Sequence, residues 1–144
     1  MSPPLVRTAR PEDAGPLARL LTELGYPTTP EQAAARLDRL LPDPAHRALL
    51  AEADGVVVGF AGVFSGYAYH ADEPYARVLA LVVDPAHRGG GVGAALMAEA
   101  EAWARERGAA AVHLTAATHR EGAHRFYRRM GYRETGTRFY RRLD

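Results

Sequence analysis

The stretch Pro85–Gly93, Pro-Ala-His-Arg-Gly-Gly-Gly-Val-Gly, combines residue types that suit phosphate binding. Arg88 supplies a cation, and the glycines let the backbone approach an anion closely. The apolar strand Arg77–Val83 precedes this stretch, and a long amphipathic helix follows it. The first N–H groups of a helix lack intrahelical acceptors, and the peptide dipoles add roughly half a positive charge there. The sequence therefore predicts a phosphate-bearing ligand at this turn between strand and helix.

The spacing of the glycines distinguishes between three phosphate-binding turns. A P-loop requires a lysine, and the chain contains none. A dinucleotide fingerprint requires a third glycine or alanine at the position that Leu96 occupies. Arg88–Gly93 instead fits the pattern Arg/Gln-x-x-Gly-x-Gly/Ala, which resembles the acyl-CoA pyrophosphate loop of the GNAT superfamily of N-acetyltransferases.

A second motif strengthens this resemblance. Ala123–Tyr132 is similar to the late helix of the same superfamily, Ala-x-x-Phe-Tyr-x-x-x-Gly-Phe/Tyr, and one helix and one strand lie between the two motifs. The resemblance covers nearly the whole chain. The C-terminal part looks similar to aminoalkylphosphonate and other small-amine acetyltransferases of the superfamily.

The resemblance implies acetyl-CoA as cosubstrate and assigns residues to it. Backbone groups at the end of the strand are expected to pair with the pantetheine arm, and the loop and the first helical turn to hold the pyrophosphate. Arg120 stands where relatives often carry asparagine. The residues assigned to acetyl-CoA in this way are Leu81, Val82, Val83, Arg88, Gly89, Gly90, Gly91, Val92, Gly93, Ala94, Arg120 and Ala123.

Tyr127 has two interpretations. The helical spacing of Ala123, Phe126, Tyr127 and Met130 is that of a packed apolar stripe. The resemblance implies instead that Tyr127 lies near the thioester sulfur and acts as a general acid. A phenol with a pKa near 10 suits a departing thiolate whose thiol has a pKa of about 8.5.

The general base stays open. Many relatives carry glutamate on the strand before the glycine loop, whereas the corresponding candidates here are Arg77, Leu79 and Ala80. Proton removal is therefore assigned to the preceding loop or to ordered water. The loop candidates are Tyr69, His70, Asp72 and Glu73. The histidines show no ligand spacing, so no metal site is predicted.

The function that follows is an acetyl-CoA-dependent N-acetyltransferase. The acceptor amine would attack the thioester directly, because no cysteine is present to carry a covalent intermediate. A basic C-terminal part, with eight arginines against three acidic residues from residue 119 to 144, suits a small amine that also bears an anionic group. The alternatives are a non-catalytic acyl-CoA-binding sensor and an enzyme that acetylates a protein or peptide N-terminus.

Composition limits the remaining functional classes. The chain has 144 residues, and residues 1–144 are expected to form one N-acetyltransferase domain. The net charge of +1 gives no general attraction to nucleic acid, and no apolar run is long enough for a membrane span. Neither a secretory signal nor cysteine is present, so a cytoplasmic location is expected. A homodimer is neither required nor excluded.

The predicted architecture is an α/β, single-domain GNAT fold, with a mixed, mostly antiparallel central sheet flanked by about four helices. An Asp54-Gly55 turn predicts a hairpin in the first half of the chain. The predicted strands are Leu5–Ala9, Arg47–Ala53, Val56–Tyr67, Arg77–Val83, Ala111–Ala116, Tyr132–Thr135 and Thr137–Leu143. The predicted helices are Pro11–Leu24, Pro30–Leu41, one from the glycine turn to Arg107, and Glu121–Met130.

Overall fold

The computed structural model describes residues 3–116 and 121–143 and consists of two compact units, Met1–His113 and Leu114–Asp144. The strands are β1 (Leu5–Thr8), β2 (His46–Ala53), β3 (Val56–Gly66), β4 (Tyr75–Val83) and β5 (Val112–Leu114). The α-helices are α1 (Ala14–Leu24), α2 (Pro30–Leu40), α3 (Val92–Glu106) and α4 (Glu121–Arg129). Single 3-10 turns lie at Pro11–Asp13 and Pro85–His87.

The strands form one sheet in the order β1-β2-β3-β4-β5. The β1/β2, β2/β3 and β3/β4 pairs are antiparallel. α3 connects β4 to β5, and a connection through a whole helix is typical of a parallel pair. The α/β class and the mixed, mostly antiparallel sheet predicted from the sequence are therefore confirmed.

Two apolar clusters cover the two faces of the sheet. Leu49 and Ala51 of β2 belong to the cluster that includes α3, whereas Leu50 belongs to the cluster that includes α1 and α2. This alternation follows from the period of two along a strand. β4 contributes to both clusters, as its apolar sequence predicted, since Val83 packs on the first and Val82 on the second. Leu79 is an apolar residue of β4 that does not follow this pattern, since it is 53% exposed.

Local signals begin and end these elements. Asp54 and Gly55 both have positive φ values, 52° and 80°, and they form the predicted hairpin turn between β2 and β3. Thr29 and Gln32 form a capping box at the start of α2. Gly25, with φ 112°, ends α1. No helix in the described part of the chain has the length and apolarity to cross a membrane.

An ion-pair network ties β1 to the start of α1. The guanidinium nitrogens Nη1 and Nη2 of Arg7 donate to the Asp13 carboxylate, at 2.8 and 2.9 Å, and Nε donates to Glu52. The backbone N–H of Arg10 also donates to Asp13, at 2.7 Å. These bonds hold the pKa of Asp13 below its usual range, with the Arg7 side chain as the largest cause. The predicted helix from Pro11 begins as a 3-10 turn, and the Asp13 carboxylate caps that turn through the bond from the Arg10 N–H.

The two strands predicted at Tyr132–Thr135 and Thr137–Leu143 are wrong. Residues 132–143 carry no strand in the structure, and Phe139, Tyr140 and Leu143 are 92%, 75% and 86% exposed. Aromatic and β-branched residues favour strands because they pack on a half-buried pleated surface, and in this segment those side chains are exposed instead.

Candidate active site

The predicted phosphate loop joins the end of β4 to the start of α3. β4 ends at Val83, and the Asp84 side chain accepts a hydrogen bond from the backbone N–H of Ala86 at 3.0 Å. Gly89 and Gly91 follow with φ values of +82° and +85°, a region that L side chains rarely adopt. A Cβ built at either glycine would meet no atom within 4 Å. The loop is thus an open backbone surface.

The first turn of α3 provides donors beside this loop. Gly91 is the N-cap, and the N–H of Ala95 donates to its carbonyl at 3.0 Å. The preceding N–H groups, those of Val92, Gly93 and Ala94, therefore have no intrahelical acceptor. Together with the positive end of the helix dipole, they form a surface suited to an anion.

Arg88 stands at the mouth of the loop. Its Nε donates to the carbonyl oxygen of Val83 at 3.1 Å, and its Nη2 lies 3.8 Å from Oε1 of Glu23 on α1. The Arg88 side chain is 57% exposed. Exposed ion pairs contribute little, about 0–1 kcal/mol, so the guanidinium can be transferred to a ligand phosphate at small cost.

The end of β4 presents backbone groups on the side away from β3. The N–H of Asp84 donates to the carbonyl of Val58 at 2.8 Å, and Val83 is the partner of Gly59 in the ladder. An antiparallel ladder alternates, so the N–H and C=O of Val83 and of Leu81 point away from β3. The register also shifts between Gly62 and Val63 of β3, opposite Leu79.

The candidate bases lie in the loop between β3 and β4. Tyr69, His70, Asp72 and Glu73 are all exposed. This loop meets β4 at Tyr75, and the strand separates that end from Val83 by about 26 Å at 3.3 Å per residue. Across residues 3–116 and 121–143, no three His, Asp or Glu side chains group closely enough to hold a metal ion.

The predicted acid lies in the second unit, on α4. Tyr127 packs edge-on against Phe126 and Tyr132, with ring centroids 5.2 and 5.9 Å apart. Burial raises the pKa of the Tyr127 phenol above its ordinary value, so the hydroxyl keeps its proton at neutral pH. Ala123 is half-buried on the same helix, and Arg120 lies outside the described residues.

Arg19 is a residue that the sequence analysis missed. Its Nη1 donates to Oδ2 of Asp84 at 2.8 Å, and its Nη2 donates to the carbonyl of Val57 at 2.9 Å. The Ala86 N–H and then Arg19 hold the pKa of Asp84 below its usual range. No periodic signal links Arg19 to Asp84, since 65 positions separate them.

Comparisons with known proteins agree with the resemblance. Residues 16–132 match the profile described as "Acetyltransferase (GNAT) family". The chain is 36% identical over 124 residues to an aminoalkylphosphonate N-acetyltransferase of Salmonella typhimurium, across 86% of this chain and 78% of that protein. It is 32% identical over 146 residues to an aminoglycoside N(6')-acetyltransferase type 1 of Stenotrophomonas maltophilia, across 99% of this chain and 94% of that protein.

A solved structure shows the same fold. AAC(6')-Iy, in complex with the bisubstrate analog CoA-S-monomethyl-acetylneamine, superimposes with a TM-score of 0.86 at 20% identity, covering 99% of each chain.

Proposed function

Because this chain belongs to the GNAT family of acetyltransferases, we propose that it transfers the acetyl group of acetyl-CoA to the primary amine of a small molecule by direct attack. Two of its relatives are named as acetyltransferases of an aminoalkylphosphonate and of aminoglycosides. Both substrate classes carry amines, and this supports a small amine as the acceptor.

The observation that carries the proposal is the backbone geometry of the loop from Arg88 to Gly93. Positive φ at Gly89 and Gly91 leaves an open surface at the N-terminus of α3, and Arg88 stands beside it. A pyrophosphate would accept hydrogen bonds from the N–H groups of Val92, Gly93 and Ala94, and Arg88 would balance its charge. A Cβ at Gly89 or Gly91 would strain this backbone.

β4 supports the next part of the cosubstrate. The backbone groups of Leu81 and Val83 point away from β3 and so are suited to pair with the amides of a pantetheine arm. Of these groups, the N–H of Leu81 lies further from the loop, so it would meet the thioester oxygen and stabilise the negative charge that develops there. The backbone groups of Val82 face β3 in the same ladder, so Val82 would act by holding β4 in place.

Tyr127 is proposed as the proton donor to the leaving group, on the basis of its motif and its chemistry. The amine nitrogen forms a bond to the acetyl carbon, the carbon–sulfur bond breaks, and the Tyr127 hydroxyl donates to the sulfur. Burial raises the pKa of the Tyr127 phenol, which therefore lies above the pKa of a thiol, and a thiol has a pKa of about 8.5. The hydroxyl would therefore pass its proton to the sulfur as the carbon–sulfur bond breaks, and the phenolate so formed would regain a proton that the acceptor amine releases to solvent.

The acceptor end of the site follows from the direction of β4. A cosubstrate that begins at Arg88 and pairs with Val83 and Leu81 runs toward the loop that carries Asp72 and Glu73. These carboxylates would attract a protonated amine towards the site. Leu81 lies about 20 Å along β4 from Tyr75 at 3.3 Å per residue, so the proton of the amine would reach them through ordered water. Tyr69, His70 and ordered water remain alternatives for this step.

The test is the release of CoA thiol from acetyl-CoA in the presence of different amines. The protein has no cysteine, so a disulfide reagent reports only the product thiol. The panel contains aminoalkylphosphonates, aminoglycosides, polyamines, amino acids and short peptides. We expect CoA release that depends on a small amine. CoA release with peptides alone would show that the acceptor is a peptide or protein N-terminus and not a small amine.

Two arginine variants connect the activity to the loop. Arg88→Ala is expected to raise the KM for acetyl-CoA about 10- to 100-fold, since it removes a charge-assisted contact to phosphate. Arg105→Ala, which removes another exposed arginine near the other end of α3, is expected to change it less than about twofold. Tight CoA binding with no release across the panel would favour a non-catalytic acyl-CoA sensor.

A further inference from the structure

α1 contacts the phosphate loop at two points, although it lies far from the loop in sequence. Arg19 contacts Asp84 at the base of the loop, and Glu23, one helical turn later, lies 3.8 Å from Arg88 at its mouth. α1 is itself held in the core by Leu17 and Leu20, which are 4% and 0% exposed. The loop is thus supported by a rigid element.

Arg19 joins two strand ends through separate nitrogens. Nη1 pairs with Oδ2 of Asp84 at 2.8 Å, while Nη2 donates to the carbonyl of Val57 at 2.9 Å. Val57 lies near the start of β3, and Asp84 directly follows β4. The guanidinium fork therefore holds Asp84, the residue after β4, against β3, because both contacts use its planar geometry. β4 itself is paired with β3 through its own ladder, so the constraint from Arg19 acts on the loop.

Asp84 also forms hydrogen bonds with the loop, through its second carboxylate oxygen and its backbone carbonyl. Oδ1 accepts from the N–H of Ala86 at 3.0 Å, and the Asp84 carbonyl accepts from the N–H of His87 at 2.9 Å. These two bonds set the 3-10 turn from which Arg88 emerges. Without the contact to Arg19, the Asp84 carboxylate could rotate, and its hydrogen bond from the Ala86 N–H would be formed for less of the time.

We propose that Arg19 is a positioning residue for the phosphate-binding loop and acts through Asp84. Arg19 contacts the base of the loop and not its glycines, so its effect on the ligand is indirect. The inference rests on the proposed function, since it assumes that the loop holds the pyrophosphate of CoA. It predicts that loss of Arg19 weakens binding of the phosphate-bearing part of the cosubstrate and leaves binding of the pantetheine part unchanged.

The experiment compares two ligands in the intact protein. CoA binding is measured by calorimetry, and the weaker binding of S-acetylpantetheine, which lacks the pyrophosphate, by a ligand-observed NMR titration. Arg19→Met is expected to raise the Kd for CoA about five- to tenfold and to leave the Kd for S-acetylpantetheine within about twofold. Asp84→Asn is expected to behave in the same way, and the double variant Arg19→Met/Asp84→Asn to be no weaker than the single variants, because both remove one interaction.

Two further variants separate positioning from a general loss of stability. Arg19→Lys keeps a cation beside Asp84 but not the fork, so partial recovery of CoA binding is expected. Arg36→Met removes an exposed arginine of α2 that bonds to Thr28, and it should leave CoA binding unchanged. Melting temperatures of all variants identify any that unfold.

Each outcome decides between named alternatives. Equal weakening of CoA and S-acetylpantetheine by Arg19→Met, or no weakening of CoA, would overturn the positioning role while leaving the proposed function intact. A wild-type protein that binds S-acetylpantetheine as tightly as CoA would overturn the phosphate loop, and the positioning role with it. Failure of the wild type to bind CoA at all would overturn the proposed function.

Discussion

Gly91 offers a direct test of the loop, because the same chain supplies a matched control. Gly91 has φ +85° at the N-cap of α3, and Gly55 has φ +80° in the turn between β2 and β3. A Cβ at either position would meet no atom within 4 Å. Alanine therefore introduces the same backbone strain at both sites, and only one of the sites is in the proposed phosphate loop.

The expected loss of stability is small and similar for the two variants. A left-handed conformation costs an L residue about 1–2 kcal/mol, and the lower entropy of the unfolded chain offsets about 0.4–1 kcal/mol. The net cost is about 1 kcal/mol, which corresponds to a fall of about 4 °C in Tm for a chain of this size. Both Gly91→Ala and Gly55→Ala should show it.

Only Gly91→Ala should weaken acetyl-CoA binding. Relief of the strain turns the peptide before α3, which removes or misdirects at least one N–H donor to phosphate. A hydrogen bond to a charged group contributes about 1.5–3 kcal/mol, so the Kd should rise about 10- to 100-fold. Calorimetric titration measures the Kd, and thermal unfolding measures the common loss of stability. Equal Kd values for Gly91→Ala and the wild type, with Tm lowered as expected, would refute the assignment of the phosphate to this loop.

Further predictions concern the proposed general acid, Tyr127, and the contribution of Asp13 to the stability of the fold. Tyr127→Phe should lower kcat about 100-fold while the Kd for acetyl-CoA stays constant, because the hydroxyl acts on the leaving group. Asp13→Ala should lower the free energy of unfolding by about 3 kcal/mol in urea titrations, since it leaves the half-buried Arg7 with fewer partners. The pKa of Asp13 is lowered in the folded state. The stability that the ionised Asp13 contributes is therefore present above a pH of about 4 and is lost as the pH falls through the lowered pKa. Asp13→Asn cannot ionise at this position, so it should not show this loss of stability at acidic pH.

Exposed residues of the same chemical type provide the controls for these predictions. Tyr26→Phe removes the hydroxyl of a tyrosine that is 62% exposed and should leave kcat unchanged. If Tyr127→Phe also leaves kcat unchanged, Tyr127 is a packing residue of α4. Glu12→Ala breaks an exposed pair with Arg10, at 3.4 Å, and should cost less than about 0.5 kcal/mol. A similar cost for Asp13→Ala would contradict the importance of the Arg7 network.

The sequence predicted those parts of the fold that depend on local chemistry. Gly91 begins α3 and the Asp54-Gly55 turn joins β2 to β3, because positive φ is readily accepted by glycine and tolerated by aspartate. The alternation of Leu49 and Leu50 between two clusters follows from the strand period. The order of strands and helices through α4 agrees with the prediction, because the spacing of apolar residues and the turn residues between them are local features of the sequence.

The features that the sequence did not predict depend on distant partners. A strand forms only where a neighbour completes its hydrogen bonds, and the segment from Tyr132 to Leu143 has the composition of a strand but remains outside the sheet. The contact between Arg19 and Asp84 depends on how α1 packs on the sheet, and neither residue type indicates it. The roles of Tyr127 and of the loop residues remain predictions that the variants above test.

The measurement that tests the central proposal most directly is the transfer of a labelled acetyl group. The protein is incubated with trideuteroacetyl-CoA and the amine panel, and the masses of the small molecules and of the intact protein are recorded. Direct transfer predicts an amine that gains one trideuteroacetyl group, free CoA in equal amount, and no label on the protein during turnover. Labelled protein during turnover would contradict direct attack, and unlabelled amines with CoA still bound would contradict the acetyltransferase activity itself.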